Sequence, residues 1–471
     1  MAIMLPSARR EHGAEQPYIP LGIFKIRLPF VHYGVEVPEL IQAIFMFVTG
    51  LAATQFLQDM FGIPFEIALT IVLFHEITYC IHQIFGDPIV AGWITAAIPL
   101  TVAFLSKYAM GVERIEALIA LQVTVGLLFL LLGTTGLAKK ILDVMPGSIK
   151  AGVVLGAGIA AVTGKYGFLS AAAGGIGFAK FPISLTVGIM IAFFLLYAKG
   201  FKEMKAKGGS IIAVFAKYGM VPGIIGAMLV AFAVGEAPLP KIDQWGFFIP
   251  RFGEVFATYS GFGIGFPTLS MFIAALPMAI VAYIIAFGDI IIGQTVIERA
   301  NEQREDEYID MNPNRTNILC GVRNMIEGVF APTVTLAGPL WAAMTVSIAE
   351  RYKQGRQAMD SIFGGSGTFN IMKFICVMYL PLVAIFKPIL PIAIALTIMV
   401  QGFACFYIAM EMTKTNEERG VAGVIGAILA VAGATYGLAA GIILWFVVER
   451  LGTQKINVAQ KAADAEPNAN V

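Results

Sequence analysis

Charge is what this sequence has least of. Asp, Glu, Lys and Arg make up 13% of 471 residues and nearly cancel, leaving a net +1. No basic field is present to attract nucleic acid. With 58% hydrophobic residues and a mean hydropathy of +0.79, the composition also excludes an ordinary soluble chain. Cysteine is scarce: Cys80, Cys320, Cys376 and Cys405 lie in apolar stretches without CxxC spacing, which argues against a disulfide framework or a zinc site. His75-Glu76 and His82 fall seven residues apart, whereas a metalloprotease helix places its two histidines one turn apart. With no nucleophile–base pair either, an enzyme is not expected. Residues 1–38 lack a short apolar core before a cleavage site and read as a cytosolic leader rather than a signal peptide.

What the chain has is apolar runs long enough to cross a bilayer, repeated along almost its whole length. Helices are predicted near 39–61, 63–85, 95–107, 115–137, 148–164, 182–199 and 211–234. After a polar loop at 235–265 they resume near 267–297, 316–326, 335–350, 368–387 and 389–411. The stretch 421–449, with five glycines, is either one long helix or two short ones folded back; an inverted repeat of seven plus seven requires two, giving fourteen segments. With the N-terminus inside, nineteen Lys and Arg fall in inner segments against seven in outer ones, the bias expected of a cytosolic face. Both termini, including the tail 451–471, are therefore expected in the cytoplasm, the membrane being a bacterial inner membrane.

Two stretches look like copies of one element. Residues 87–103 and 327–343, 240 positions apart, share Ala91/Ala331, Thr95/Thr335, Ala97/Ala337, Pro99/Pro339, Leu100/Leu340 and Ala103/Ala343, and both open on an acid. Each is an extended run broken by Gly or Pro that turns into a small-residue helix. Paired interrupted segments of this kind point to the binding site of a secondary transporter. Non-helical backbone is tolerated at membrane depth only where it is buried in protein or lines a cavity, and a helix starting there turns its free N–H groups into the cavity. Seven spans separate the copies, so the repeats run in opposite directions.

The order of elements resembles the nucleobase–ascorbate transporter family (uracil and xanthine permeases), within the sulfate-permease-like superfamily. Four stretches carry the likeness: Gln42; Leu131 to Gly136 and Asp143 to Gly152, with Gly156 and Gly158; Ala286 to Gly293 around Asp289; and Gly328 to Thr335. Two departures qualify it. Ala43 stands where the family commonly has His, and Gly338-Pro339 replaces the acid-bearing pattern that grips a nucleobase. The resemblance implies an all-α polytopic membrane protein in which fourteen segments form a 7+7 inverted repeat. Core segments 1–4 (39–147) and 8–11 (267–388) would move against gate segments 5–7 (148–266) and 12–14 (389–450). The substrate would sit between the two half-helix starts and the middle of helices 1 and 8.

Asp289 is the leading site residue. It lies about 12 Å from the inner end of an apolar span, and a carboxylate at mid-membrane costs about 2.5–3.5 kcal/mol without a partner or a polar cavity. Gly293, one turn on, would leave room beside it. Thr95 and Thr335 are expected to cap the half-helices, and Ala97, Ala337 and Gly338 to let substrate approach the backbone. Thr49, a lone polar residue in the first span, joins the candidate contacts, its alternative, as for Gln122, being a helix–helix hydrogen bond. His75 and Glu76 are candidates for ion coupling alongside Asp289, the preferred alternative being a structural polar patch facing neighbouring helices. Arg323, Asn324 and Glu327 read as an internal ion pair tying the broken segment, in preference to substrate contacts. The expected function is alternating-access symport of a small polar, nucleobase-like solute with H+ or Na+. No cofactor is expected, and a homodimer is left open. The alternative cargo is an inorganic or carboxylate anion, and the competing class, an ion channel, would need repeated charged or carbonyl rings that are not seen.

Overall fold

The computed structural model describes residues 10–164, 167–170, 177–207 and 220–451. Fourteen principal helices are found among them: α1 (Val37–Phe61), α2 (Phe65–Ile84), α3 (Thr95–Leu105), α4 (Val112–Thr135), α5 (Gly147–Thr163), α6 (Pro182–Tyr197), α7 (Val221–Val234), α8 (Leu269–Glu302), α9 (Pro313–Phe330), α10 (Ala342–Tyr352), α11 (Ile362–Met378), α12 (Leu380–Glu411), α13 (Asn416–Ala432) and α14 (Ala434–Leu444). The protein is thus an all-α polytopic membrane protein. Residues 211–219 of the expected seventh span, and 452–471 of the tail, lie outside the described residues.

Several boundaries differ from expectation. The eleventh helix ends at Met378, and the chain turns at Tyr379 into a helix that Pro381 opens, so residues 380–387 belong to α12. The ninth extends to Pro313–Phe330 because Asn312 caps it, its side chain accepting from the Asn314 and Arg315 N–H groups. The tenth begins at Ala342, seven residues later than expected. The glycine-rich end is two helices: Gly433, at φ +94°, breaks them, and α14 folds back so closely that a Cβ on Gly437 would lie 2.6 Å from the Leu429 Cβ.

The packing shows the repeat directly. The contact of α1 with α11 recurs, seven helices on, as α8 with α4. In the same way α2 with α11 recurs as α9 with α4, α6 with α7 as α13 with α14, and α5 with α13 as α12 with α6. Within the first set, small residues allow close approach: a Cβ at Gly126 would lie 3.0 Å from the Met325 N, and one at Gly133 2.9 Å from the Asn317 Cβ. In the second set Gly152 and Gly156 meet Ile425 and Leu429.

The N-terminal segment is not a loose leader. Strands β1 (Ile19–Leu21) and β2 (Phe24–Ile26) form a hairpin, and the Lys25 and Arg27 N–H groups donate to the Phe85 and Ile84 carbonyls, satisfying the end of α2. Arg10, buried, donates to the Asp306 carboxylate at 2.8 Å and to the Asp360 carbonyl at 2.9 Å. Arg304 closes on Asp306 from the other side. Residues grouped on one face by the charge count therefore touch one another here, as Arg351 does Glu36 at 2.7 Å. On the opposite face Arg114 donates to Met60 and Lys387 stands 4.0 Å over the Phe65 ring.

Arg304, with Arg10 behind it, holds the Asp306 carboxyl well below the usual carboxylate range. A depressed folded pKa means stability that is present above the ordinary value of about 3.9 and lost as pH falls below it. Asp306→Asn should therefore lower the thermal midpoint of the detergent-solubilised protein at pH 7, with the deficit shrinking below about pH 4. Lys353→Ala, which breaks only the exposed contact with Glu350, should leave the midpoint unchanged. An equal midpoint for Asp306→Asn and parent at pH 7 would count against the latch.

Candidate functional site

The chain abandons helix twice at depth, and the two breaks meet. Strand β3 (Gly92–Trp93) pairs antiparallel with β4 (Ala337–Gly338), Gly92 opposite Gly338 and Trp93 opposite Ala337. Both glycines are required by the closeness of the chains: a Cβ at Gly338 would stand 2.4 Å from the Trp93 carbonyl, and one at Gly92 2.5 Å from the Leu340 oxygen. Further bonds extend the crossing. The Trp341 N–H donates to Val90 at 2.7 Å and the Ile94 N–H to Thr335 at 3.2 Å, while the Val90 N–H donates to the Thr345 hydroxyl at 3.0 Å.

This pairing corrects the sequence repeat. Equivalent strands put Gly92–Trp93 over Ala337–Gly338, an offset of 245 residues and not 240. Ala97 then corresponds to Ala342, and both stand at helix starts, whereas Ala337 and Gly338 belong to the strand. The expected threonine caps are also absent. The chain enters α3 through a tight turn, Thr95–Ala97, after Ile94, and α10 starts after Trp341; neither start has a side-chain cap. Thr335 instead sits 3.1 Å from the Thr333 hydroxyl, beside Leu336, which holds a positive φ of 50°. Each half-helix is about 16 Å long, too short to cross the roughly 30 Å hydrocarbon core.

A buried polar cluster on α9 supports β4. Asn324 acts as a third strand: its amide oxygen accepts from the Ala337 N–H at 2.9 Å and its nitrogen donates to the Ala337 carbonyl at 2.7 Å. Arg323 donates to the Gly338 carbonyl at 3.0 Å and lies 3.5 Å from Glu327. Glu327 also receives Gln122 of α4 at 3.1 Å and the Thr78 hydroxyl, and faces His75 Nε2 at 2.9 Å. His82 Nδ1 lies 2.8 Å from Asp87, while its Nε2 lies 3.4 Å from Arg323. Glu76 pairs with Lys373 of α11 at 2.9 Å, whose ammonium sits 3.8 Å over the Tyr79 ring. All of these charged groups are buried.

The remaining candidates are distributed as follows. Asp289 is half-buried in the middle of α8, within electrostatic reach of Cys320 and Cys405, with no hydrogen bond or ion pair to any described residue. The start of α3 touches α5, α8 and α12. Gly293 packs on Ile89 and Leu340, where an added Cβ would make ordinary 3.4 Å contacts, so it is not needed to make room beside Asp289. The Thr49 hydroxyl is taken up within its own helix by the Met46 carbonyl at 2.7 Å. His75 and Glu76 lie in the α9-side cluster, apart from Asp289 in their contacts. Lys373 was missed, although a lone lysine inside the apolar run 362–378 carries the same signal as Asp289: a buried charge needs a partner. No group of three metal-ligating side chains occurs among the described residues.

Two interlocked repeats, with two broken segments crossing at their centre, make up the membrane fold. Solved structures of similar fold include anion transporters. The transmembrane domain of the cyanobacterial bicarbonate transporter BicA superposes with a TM-score of 0.51 at 14% identity, over 87% of this chain and 98% of that one. SLC26A9 gives 0.53 at 16%, over 88% and 65%, so this chain spans just under two thirds of its length. The murine Slc26a9 anion transporter in its inward-facing state gives 0.50 at 16%, over 88% and 68%. Such identities show the fold alone, which this chain shares with these proteins, and the expected nucleobase–ascorbate branch gains no support. No family model matches the sequence, and no curated protein matches it.

Asn324→Ala should leave both polar groups of Ala337 buried and unsatisfied, a loss of about 2 kcal/mol or more. Amide hydrogen exchange of a peptide covering residues 333–345 should accelerate, with peptides from α5 and α13 unchanged. Unaltered protection of that peptide would mean that Asn324 does not hold the strand.

Proposed function

We propose that the protein is a secondary transporter of a small inorganic or carboxylate anion, working by alternating access, with a cation moved alongside. The observation that carries this reading is the convergence of two helix starts without side-chain caps, α3 and α10, on one strand crossing. Their free N–H groups and dipole ends favour negative charge. Arg323, behind Gly338, brings its guanidinium to the same wall, with Glu327 as its counter-ion. On β4, Ala337 and Gly338 offer no acid to accept the paired N–H groups of a nucleobase. The anion-transporter fold supports the same choice of cargo.

Asp289 then has a definite role. An unpaired carboxylate near an anion site would repel the cargo unless a proton or Na+ neutralises it. Cargo and cation therefore favour each other's binding, which is the thermodynamic content of symport. The helices α1–α4 and α8–α11 would carry the crossing past α5–α7 and α12–α14.

In proteoliposomes with an imposed H+ or Na+ gradient, saturable and concentrative uptake of one anion among sulfate, bicarbonate and small carboxylates is expected, with none of uracil or xanthine. Concentrative nucleobase uptake would overturn the reading. Asp289→Asn should insert and fold normally but lose concentrative uptake, retaining at most equilibration down the anion's own gradient. Unimpaired concentration by that variant would remove Asp289 from the coupling step.

A further inference from the structure

Among the charges buried behind the crossing, Glu327 alone is shared by two bases on different helices. His75 of α2 approaches its Oε2 at 2.9 Å, while Arg323, one turn back on α9, stands 3.5 Å from Oε1. The Nη2 of Arg323 makes no hydrogen bond to a described residue. Its Nη1 donates to the Gly338 carbonyl at 3.0 Å. One guanidinium thus faces Glu327 with one nitrogen and holds the strand of the crossing with another.

The surrounding groups leave His75 as the member able to change charge. On its own helix, Glu76 is paired with Lys373 of α11 at 2.9 Å. From α4, Gln122 contributes a neutral donor to Glu327, and α1 contributes Gly50 against Glu76. His82 is fixed differently: its Nε2 lies toward an arginine N–H and its Nδ1 toward Asp87, so a donor on Nδ1 and a lone pair on Nε2 satisfy both neighbours. A proton on that Nε2 would face a cation. On His75 it faces a carboxylate.

We propose that His75 is a proton-operated positioning residue for the strand crossing. Protonated, it holds Glu327 and leaves Arg323 on the Gly338 carbonyl. Deprotonated, it keeps no more than a neutral N–H toward Glu327, whose uncompensated carboxylate draws Arg323 into a closer two-point pair and off that carbonyl. The proton leaves one net positive charge in the triad behind the two helix starts, so it favours an anion there. This last consequence rests on the anion-transport reading; the switch itself does not.

The four tryptophans, Trp93, Trp245, Trp341 and Trp445, supply a readout that needs no cargo. Two flank the crossing, Trp93 in β3 and Trp341 just after β4. The full chain is labelled with 5-fluorotryptophan, assigned by single Trp→Phe changes, and scanned by 19F NMR from pH 5 to 8.5. The Trp93 and Trp341 resonances should move together while Trp245 and Trp445 stay still. His75→Gln and Glu327→Gln should abolish the movement, and His82→Gln should keep it. His75→Lys, with a charge that persists over this range, should lock both resonances near their low-pH positions, which keeps the test usable if His75→Gln does not fold. No movement in the parent, movement that persists in His75→Gln, or movement lost only in His82→Gln would each overturn the proposal. In a second arm, sulfate binding by calorimetry should weaken about tenfold from low to high pH, within the usual range of site-to-site coupling, and become pH-independent in His75→Lys. The expected NMR result with no anion bound at any pH would support the switch and count against the anion reading alone.

Discussion

The arrangement depends on one constraint: backbone that leaves the helix inside a membrane has no water to bond and must be satisfied by protein. Here the two breaks satisfy each other by pairing as short strands, but two residues each do not exhaust the exposed polar groups. Asn324 supplies the missing partner to Ala337, and Arg323 supplies one to Gly338. A buried arginine needs a counter-ion in turn, which Glu327 provides. Glu327 then collects Thr78, Gln122 and His75 from α2 and α4. The buried cluster follows from the crossing, and the crossing from the need for two short helices that start at mid-membrane.

That requirement also orders the packing. Contacts that recur when each helix number advances by seven, together with antiparallel pairing of equivalent strands, describe one unit used twice in opposite directions. The N-terminal segment stands outside this symmetry. It latches the loop after α8 and the loop after α10 through Arg10, and it closes the end of α2 through β2. Arg315 of α9 donates to the Ile23 carbonyl of the same hairpin, so the supports of the crossing on α2 and α9 are tied together beyond the repeat itself.

Much of the helix plan was legible because an apolar run of span length has few alternatives; the glycines around Gly433 fitted one long helix or two, and only the seven-plus-seven repeat selected the folded-back pair. The site was legible in outline only. An ungapped repeat aligned similar Ala and Pro residues at an offset of 240, but the second copy spends about five more residues reaching its strand, through the turn at Leu336. Composition cannot reveal that inserted length. Thr95 and Thr335 were consequently assigned to caps, although neither side chain caps a helix. Thr49 and Gly293 matched a polar or small-residue criterion, yet one is bonded within its own helix and the other packed on Ile89 and Leu340. Lys373 could have been found by the cost applied to Asp289, while its partner Glu76, 297 positions away, could not, because only the fold brings α2 and α11 together.

The most direct test of the account is an electron cryomicroscopy structure of the full chain with the anion that uptake identifies. Anion density is expected between Thr95–Ala97 on one side and Ala342–Ala343 on the other, with Asn324 still holding Ala337 and the Asp289 carboxyl in the same compartment. Density bound elsewhere, or an anion-loaded state in which Gly92 and Gly338 no longer pair, would contradict it.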